Sequence, residues 1–428
     1  MIAYGQAHNY CILAADPRLG KTRSAIVLAK IHKATCLVVC PAYLVSNWKK
    51  EINKWYPESS VTTFRKGKEI YEVFDSDFVV ISYDLVQKAE HLFEWATMIV
   101  SDELHHLKNM AAKKTQFFHR CLYENGNKYF YGLTGTPIKN RVKEFYSLLA
   151  LTYYDPSNSD HSFLDTYPDE ITFAERFSFS ETYDIEVRGM RVPITKYYGI
   201  KNNAELKSWL KGRYLRLRAD PKDLPPLTYV DTLVSDIADP KLLKAFTDYF
   251  IDDADARAMG GNNPFATRKL RTSSVLPEHK KNAAVQKIPF TIKYIEDLIE
   301  SGTECCLVYS DHREPCEQIA AHFGVPAITG SMQASRRGQL VNDFQSGRLN
   351  ILCATVGSLK EGADLYRAKD LVLNDPSWVS GDLIQVVNRM RAIGHTDPRT
   401  LHRIMGSPQD KIIYDAIEEK QKTIDKAT

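Results

Sequence analysis

Ala14-Ala15-Asp16-Pro17-Arg18-Leu19-Gly20-Lys21-Thr22 is the stretch on which the reading of this chain turns. The apolar run Cys11 to Ala14 leads into it, and Ser24 to Ala29 reads as the first turns of a helix. Strand, Gly-Lys-Thr and helix in that order make the tail of a phosphate-binding loop. Amides at a helix N-terminus point outward and carry partial positive charge. Gly20 lets the backbone approach phosphate oxygens, Lys21 reaches the β- and γ-phosphates, and Thr22 can ligand Mg²⁺. Arg18, Gly20, Lys21 and Thr22 are therefore the candidates for binding ATP. The full pattern places glycine where this chain has Ala15, so these residues alone also fit a surface turn before a helix.

Working outward, 428 residues exceed one ordinary core and predict two or three domains. No apolar run is long enough to cross a bilayer, and the N-terminus lacks the layout of a signal peptide. An intracellular, cytoplasmic protein without membrane association is expected. The eight cysteines include no Cys-x-x-Cys pair, so they read as small buried hydrophobes rather than zinc ligands or disulfides. A net charge of +3 neither demands nor excludes nucleic acid.

Thr35 to Cys40 is a continuous apolar run, as in a parallel strand buried on both faces, and Pro41 stops it. Ser46 to Trp55 has helical spacing. Val61 to Phe64, Phe78 to Ser82, Met98 to Val100 and Tyr129 to Leu133 read as further strands. Such alternation predicts a doubly wound α/β domain with its chemistry at the strand C-terminal ends. Asp102 and Glu103 sit at one such end. Adjacent carboxylates there suit a Mg²⁺ ligand, Asp102, and a residue that orients or deprotonates water, Glu103. In isolation an acidic loop fits equally well, but with the phosphate loop the pair forms the two-part ATPase signature.

Lys21, Leu37 to Trp55, Ile81 to Val86, Asp102-Glu103-Leu104-His105-His106-Leu107-Lys108-Asn109 and Leu133-Thr134-Gly135-Thr136-Pro137-Ile138-Lys139-Asn140 follow in the order of superfamily-two helicases. The last two runs and the tryptophan-bearing helix resemble the SWI/SNF-type branch. That resemblance implies two RecA-like doubly wound parallel-sheet domains with a mostly helical insertion between them, at 1–154, 155–281 and 282–428. It implies that Thr134 and Thr136 couple hydrolysis to the nucleic-acid groove, and that Pro41, Ser82 and Tyr83 meet the DNA backbone.

In the insertion, Tyr167 to Arg191 reads as irregular, and Glu205 to Leu215 as a helix ending in a basic stretch that includes Arg216 and Arg218. By composition that stretch is a solvated face. The resemblance makes it a DNA contact. Asp231 to Phe250 reads as a strand followed by a helix. The second α/β core starts near Glu304, with strands at Cys305 to Ser310, Asn350 to Ala354 and Leu371 to Asn374. Gln385 and Arg389 fall at helical spacing within Gln385 to Gly394. As a solvated helix they would do nothing further. By resemblance Arg389, with Arg391 as helper, reaches the γ-phosphate as a rigid guanidinium. The same likeness places Gly362 near the nucleotide and Ser310, Thr355 and Trp378 near nucleic acid. Three positions depart from the family pattern. Gln6 lies close before Lys21, Ala392 stands where an arginine is usual, and Asp364 replaces asparagine.

The expectation is a monomeric, ATP- and Mg²⁺-using translocase or helicase acting on duplex or branched DNA, in preference to RNA. The alternative is a DNA-binding scaffold that uses ATP as a switch without hydrolysing it. The compact layout points to a viral or bacterial origin.

Overall fold

In the computed structural model the described residues are 1–64, 75–138, 141–158, 161–187, 190–234, 275–359, 365–377, 380–391 and 395–406, with 410–411, 414–415, 417–418 and 421–422. They form two compact units, Met1–Ala219 with Lys420–Thr428, and Asp220–Glu419.

The first unit is built on strands β1 (Tyr10–Ala15), β2 (Cys36–Cys40), β3 (Val61–Phe64), β4 (Phe78–Ser82), β5 (Met98–Asp102) and β6 (Tyr129–Thr134). A separate antiparallel ribbon, β7 (Phe179–Val187) with β8 (Met190–Tyr198), precedes β9 (Tyr214–Leu217). The sheet order is β3-β4-β2-β5-β6-β1-β9, and every pairing in it is parallel. The long apolar runs have a direct cause. Tyr10, Ile12 and Ala14 of β1 enter one core while Cys11 and Leu13 enter another. In β2, Leu37 and Val39 face the first core, and Cys36, Val38 and Cys40 the second. A strand covered on both faces has no polar side to show.

The second unit repeats the plan with β10 (Leu227–Leu233), β11 (Cys306–Ser310), β12 (Ile351–Thr355), β13 (Asp370–Asp375) and β14 (Arg399–Met405), ordered β10-β14-β13-β11-β12 and parallel throughout. Leu307 and Tyr309 face one core, Cys306 and Val308 the other. All eight cysteines are buried and free. Burial pushes the Cys121, Cys306 and Cys316 thiols up to about 12, which keeps them neutral and inert. No helix among the described residues is long and apolar enough to cross a membrane.

Several expectations are corrected between the cores. The stretch read as irregular contains the helix Glu170–Phe177, capped by Asp169, and then the β7–β8 ribbon. The helix expected over Glu205 to Leu215 is Asn203–Leu210, and the chain re-enters the first sheet as β9. The described part of the insertion is thus helix and strand together, and residues up to Ala219 belong to the first unit. The strand before Phe250 is β10, and 235–274 lie outside the described residues.

Candidate active site

Register assembles the site. β1 lies beside β6 with Ala14 opposite Thr134, and β6 beside β5 with Leu133 opposite Asp102. Three loops therefore leave one edge of the sheet side by side. They are the stretch from Asp16 to Gly20, the turn at Gly135, and the turn that begins with Glu103.

The helix Lys21–His32 starts immediately after Gly20, whose φ of 80° lies in the left-handed region, and no side chain caps that end. Lys21 Nζ donates to Ala15 O at 2.6 Å and to Asp16 O at 3.3 Å, so the ammonium rests over the loop. A Cβ on Gly135 would stand 3.8 Å from that nitrogen and 3.7 Å from Ala15 O, which places the two loops in contact.

Asp102 Oδ2 accepts from Trp48 Nε1 at 2.8 Å, and Oδ1 accepts from the Glu103 amide at 2.9 Å. Glu103 has φ 49°, and its Oε2 lies 3.3 Å from His105 Nδ1. Arg18 also has positive φ, at 67°. Non-glycine residues in this region are costly and gather at functional sites, and two of the four among the described residues are in these loops.

The donor set fits a magnesium–triphosphate. The ammonium can exchange carbonyl partners for phosphate oxygens. Thr22 and Asp102 would be the protein's ligands to Mg²⁺, an ion usually held by one or two protein oxygens with phosphates and water.

The residues expected on nucleic acid differ in their exposure and partners. Tyr83 is 2% exposed, and its hydroxyl donates to Asp102 O at 2.8 Å while accepting from Ser101 Oγ at 2.7 Å. Its ring stacks on His106, centroids 5.2 Å apart. The Tyr83 hydroxyl thus holds the main chain at the acid pair. Pro41, Ser82 and Thr134 are buried as well, and Thr134 Oγ1 accepts from the Thr136 amide at 3.1 Å. Ser310 is buried with its hydroxyl on Asp375, and Thr355 donates to Ser358 Oγ at 2.9 Å. Arg218 is exposed. Arg216 forms an ion pair with Asp16 at 2.7 Å.

In the second unit Gln385 and Arg389 share a face of the helix Ser380–Met390. That helix ends at Met390, before Arg391. Arg399 Nε donates to Met390 O at 3.1 Å and closes the end. Arg391 Nε donates to Pro225 O at 3.0 Å, and burial pulls its pKa down from the usual arginine value. Gly362 and Trp378 lie outside the described residues.

The bonds of Trp48 to Asp102 and of Arg216 to Asp16 were not foreseen. The one available signal was that a tryptophan buried on a helix needs an acceptor for its single N–H.

A lysine-bearing loop, an acid pair and a Thr-Gly-Thr turn on adjacent parallel strands, followed by a second parallel-sheet unit, define a two-unit RecA-like nucleotide-binding core. The chain matches the SNF2-related domain over residues 1–211 and the helicase conserved C-terminal domain over residues 290–394. It belongs to the SNF2-related family. It is 26% identical over 434 residues to the SWI/SNF-related matrix-associated actin-dependent regulator of chromatin subfamily A-like protein 1 of Xenopus tropicalis, covering 97% of this chain and 43% of that protein. It is 23% identical over 484 residues to the DNA repair and recombination protein RDH54 of Saccharomyces cerevisiae (strain AWRI1631), covering 94% of this chain and 50% of that protein. Among solved structures, the Sulfolobus solfataricus SWI2/SNF2 ATPase core in complex with dsDNA aligns with a TM-score of 0.41 at 18% identity, over 98% of this chain and 93% of that one. The chain spans about half the length of the curated relatives it matches.

Proposed function

We propose that this chain is a DNA-dependent ATPase that moves along or remodels duplex or branched DNA. The observation that carries the reading is the register of β1, β6 and β5, which sets the Lys21 loop, the Gly135 turn and the Asp102–Glu103 pair side by side. Family membership and relatives named for chromatin regulation and for DNA repair and recombination support DNA as the polymer.

Each residue has a role that its chemistry allows. Lys21 leaves Ala15 O and Asp16 O for phosphate oxygens. Thr22 and Asp102 would hold Mg²⁺, which offsets phosphate charge when bound. Glu103 orients the attacking water and takes its proton. Arg389 supplies a rigid fork to the γ-phosphoryl oxygens as charge develops on them.

The test is phosphate release with and without duplex DNA. Lys21→Ala and Glu103→Gln should each abolish the DNA-stimulated rate while leaving the urea midpoint in place. Turnover like that of the parent chain in either variant would refute the assignment. No release from the parent chain, with or without DNA, would select the ATP-switched scaffold instead. Triplex displacement measured beside strand displacement distinguishes tracking along duplex from unwinding.

A further inference from the structure

Arg216 stands in β9 opposite Ala14 of β1. Its Nη2 donates to Asp16 Oδ1 at 2.7 Å, and its Nη1 donates to Gly135 O at 3.3 Å. The other oxygen of the Asp16 carboxylate accepts from the Ala219 amide at 3.0 Å, and the Asp16 amide donates to Leu217 O at 3.0 Å. The guanidinium thus bridges the phosphate loop and the turn after β6.

Both ends of that bridge also touch the lysine. Asp16 O accepts from Lys21 Nζ, and Gly135 packs against the same nitrogen. The pair is partly shielded, with side-chain exposures of 19% for Arg216 and 25% for Asp16, so water screens it less than an exposed pair.

We propose that Arg216 is a positioning residue of the nucleotide site, not a DNA contact. The inference rests on the ATPase reading and gives that site a further component. Two effects follow from the geometry. First, the fork holds two loops in fixed relation while Lys21 changes partners, and a planar guanidinium can do this where a point charge cannot. Second, it neutralises a carboxylate only five residues before Lys21. Without Arg216 that carboxylate would face an incoming polyphosphate uncompensated, and like charges repel.

The experiment uses the full chain and three variants, Arg216→Ala, Arg216→Lys and Arg216→Ala combined with Asp16→Asn. Fluorescent ATP-analogue binding gives nucleotide affinity. Phosphate release gives kcat and KM. Duplex anisotropy across a salt series gives DNA affinity. Arg216→Ala should weaken nucleotide binding at least tenfold and leave DNA affinity and its salt slope unchanged. Adding Asp16→Asn should bring nucleotide affinity back to within about threefold of the parent chain, because the repelling charge is gone, while kcat stays low. Arg216→Lys should keep KM near the parent value and lower kcat.

The proposal is overturned if Arg216→Ala leaves nucleotide affinity unchanged and weakens duplex binding, with the salt slope reduced by about one. It is equally overturned if the double variant binds nucleotide no better than Arg216→Ala. A general folding defect would not be relieved by a second substitution in the phosphate loop. Should the parent chain bind nucleotide but release no phosphate, the ATPase reading fails, and the binding series still decides the role of Arg216.

Discussion

The Asp102 carboxylate accepts from Trp48 at one oxygen and from the Glu103 amide at the other, while Tyr83 holds the Asp102 carbonyl. Trp48 is 1% exposed and Asp102 6%, so these bonds act away from bulk water. A hydrogen bond to a charged group contributes about 1.5–3 kcal/mol. Trp48→Phe keeps an aromatic ring in the core and removes that donor, together with part of the indole's volume. Losing about 1.4 kcal/mol of orientation at a reacting centre corresponds to about tenfold in rate. DNA-stimulated kcat should therefore fall about tenfold in Trp48→Phe, with KM for ATP within about threefold of the parent value. Steady-state phosphate release checks this, and an unchanged kcat would mean that Asp102 needs no such support.

At the scale of elements, β1, β2 and β4 were legible because cores on both faces demand nearly unbroken apolar runs. Cys36–Cys40 has no polar position at all. The elements missed include β9 at the edge of the first sheet, the β7–β8 ribbon outside the sheets, and β14, which is interior to the second sheet but interrupted by Arg399, His402 and Arg403. β9 reads Tyr-Leu-Arg-Leu, an alternation with period two, but Leu206 and Leu210 just before it supply a helical spacing that masks the change. The β7–β8 ribbon falls in an aromatic-rich stretch that shows no clear period in the sequence. The motif residues could be found from sequence. Their partners could not, since Arg216 and Asp16 are 200 positions apart and meet only through the β1–β9 pairing.

The end of the Arg389 helix shows the same dependence on a distant element. Arg399, 2% exposed and the first residue of β14, donates to Met390 O and to Tyr366 O at 3.1 Å each. Last-turn carbonyls of a helix lack partners of their own and need such a donor. Arg399→Met keeps length and apolar bulk but leaves both carbonyls bare. The expected cost is about 3 kcal/mol, at about 1–3 kcal/mol per unsatisfied buried group. A lowered urea midpoint, together with a kcat reduced more than nucleotide affinity, is the outcome expected. An unchanged midpoint would show that the helix ends without help.

For the molecule as a whole, the proposed function assigns different residues to the two units. The lysine, hydroxyl and acid pair belong to the first unit and Arg389 to the second. Under the proposal, Arg389 acts only as charge develops on the phosphoryl group, so it contributes to the transition state more than to binding. Lys21 contributes to both. Arg389→Ala should accordingly leave ATP-analogue affinity within about threefold of the parent chain. Its kcat should fall by about three orders of magnitude or more, the range for removal of such an arginine. Lys21→Ala should lose affinity and turnover together. Because both residues serve one event, the double variant should turn over no more slowly than Lys21→Ala alone. Rate losses that simply multiply would instead mean that Arg389 acts independently of the nucleotide held by the first unit, and the proposed division of labour would fail.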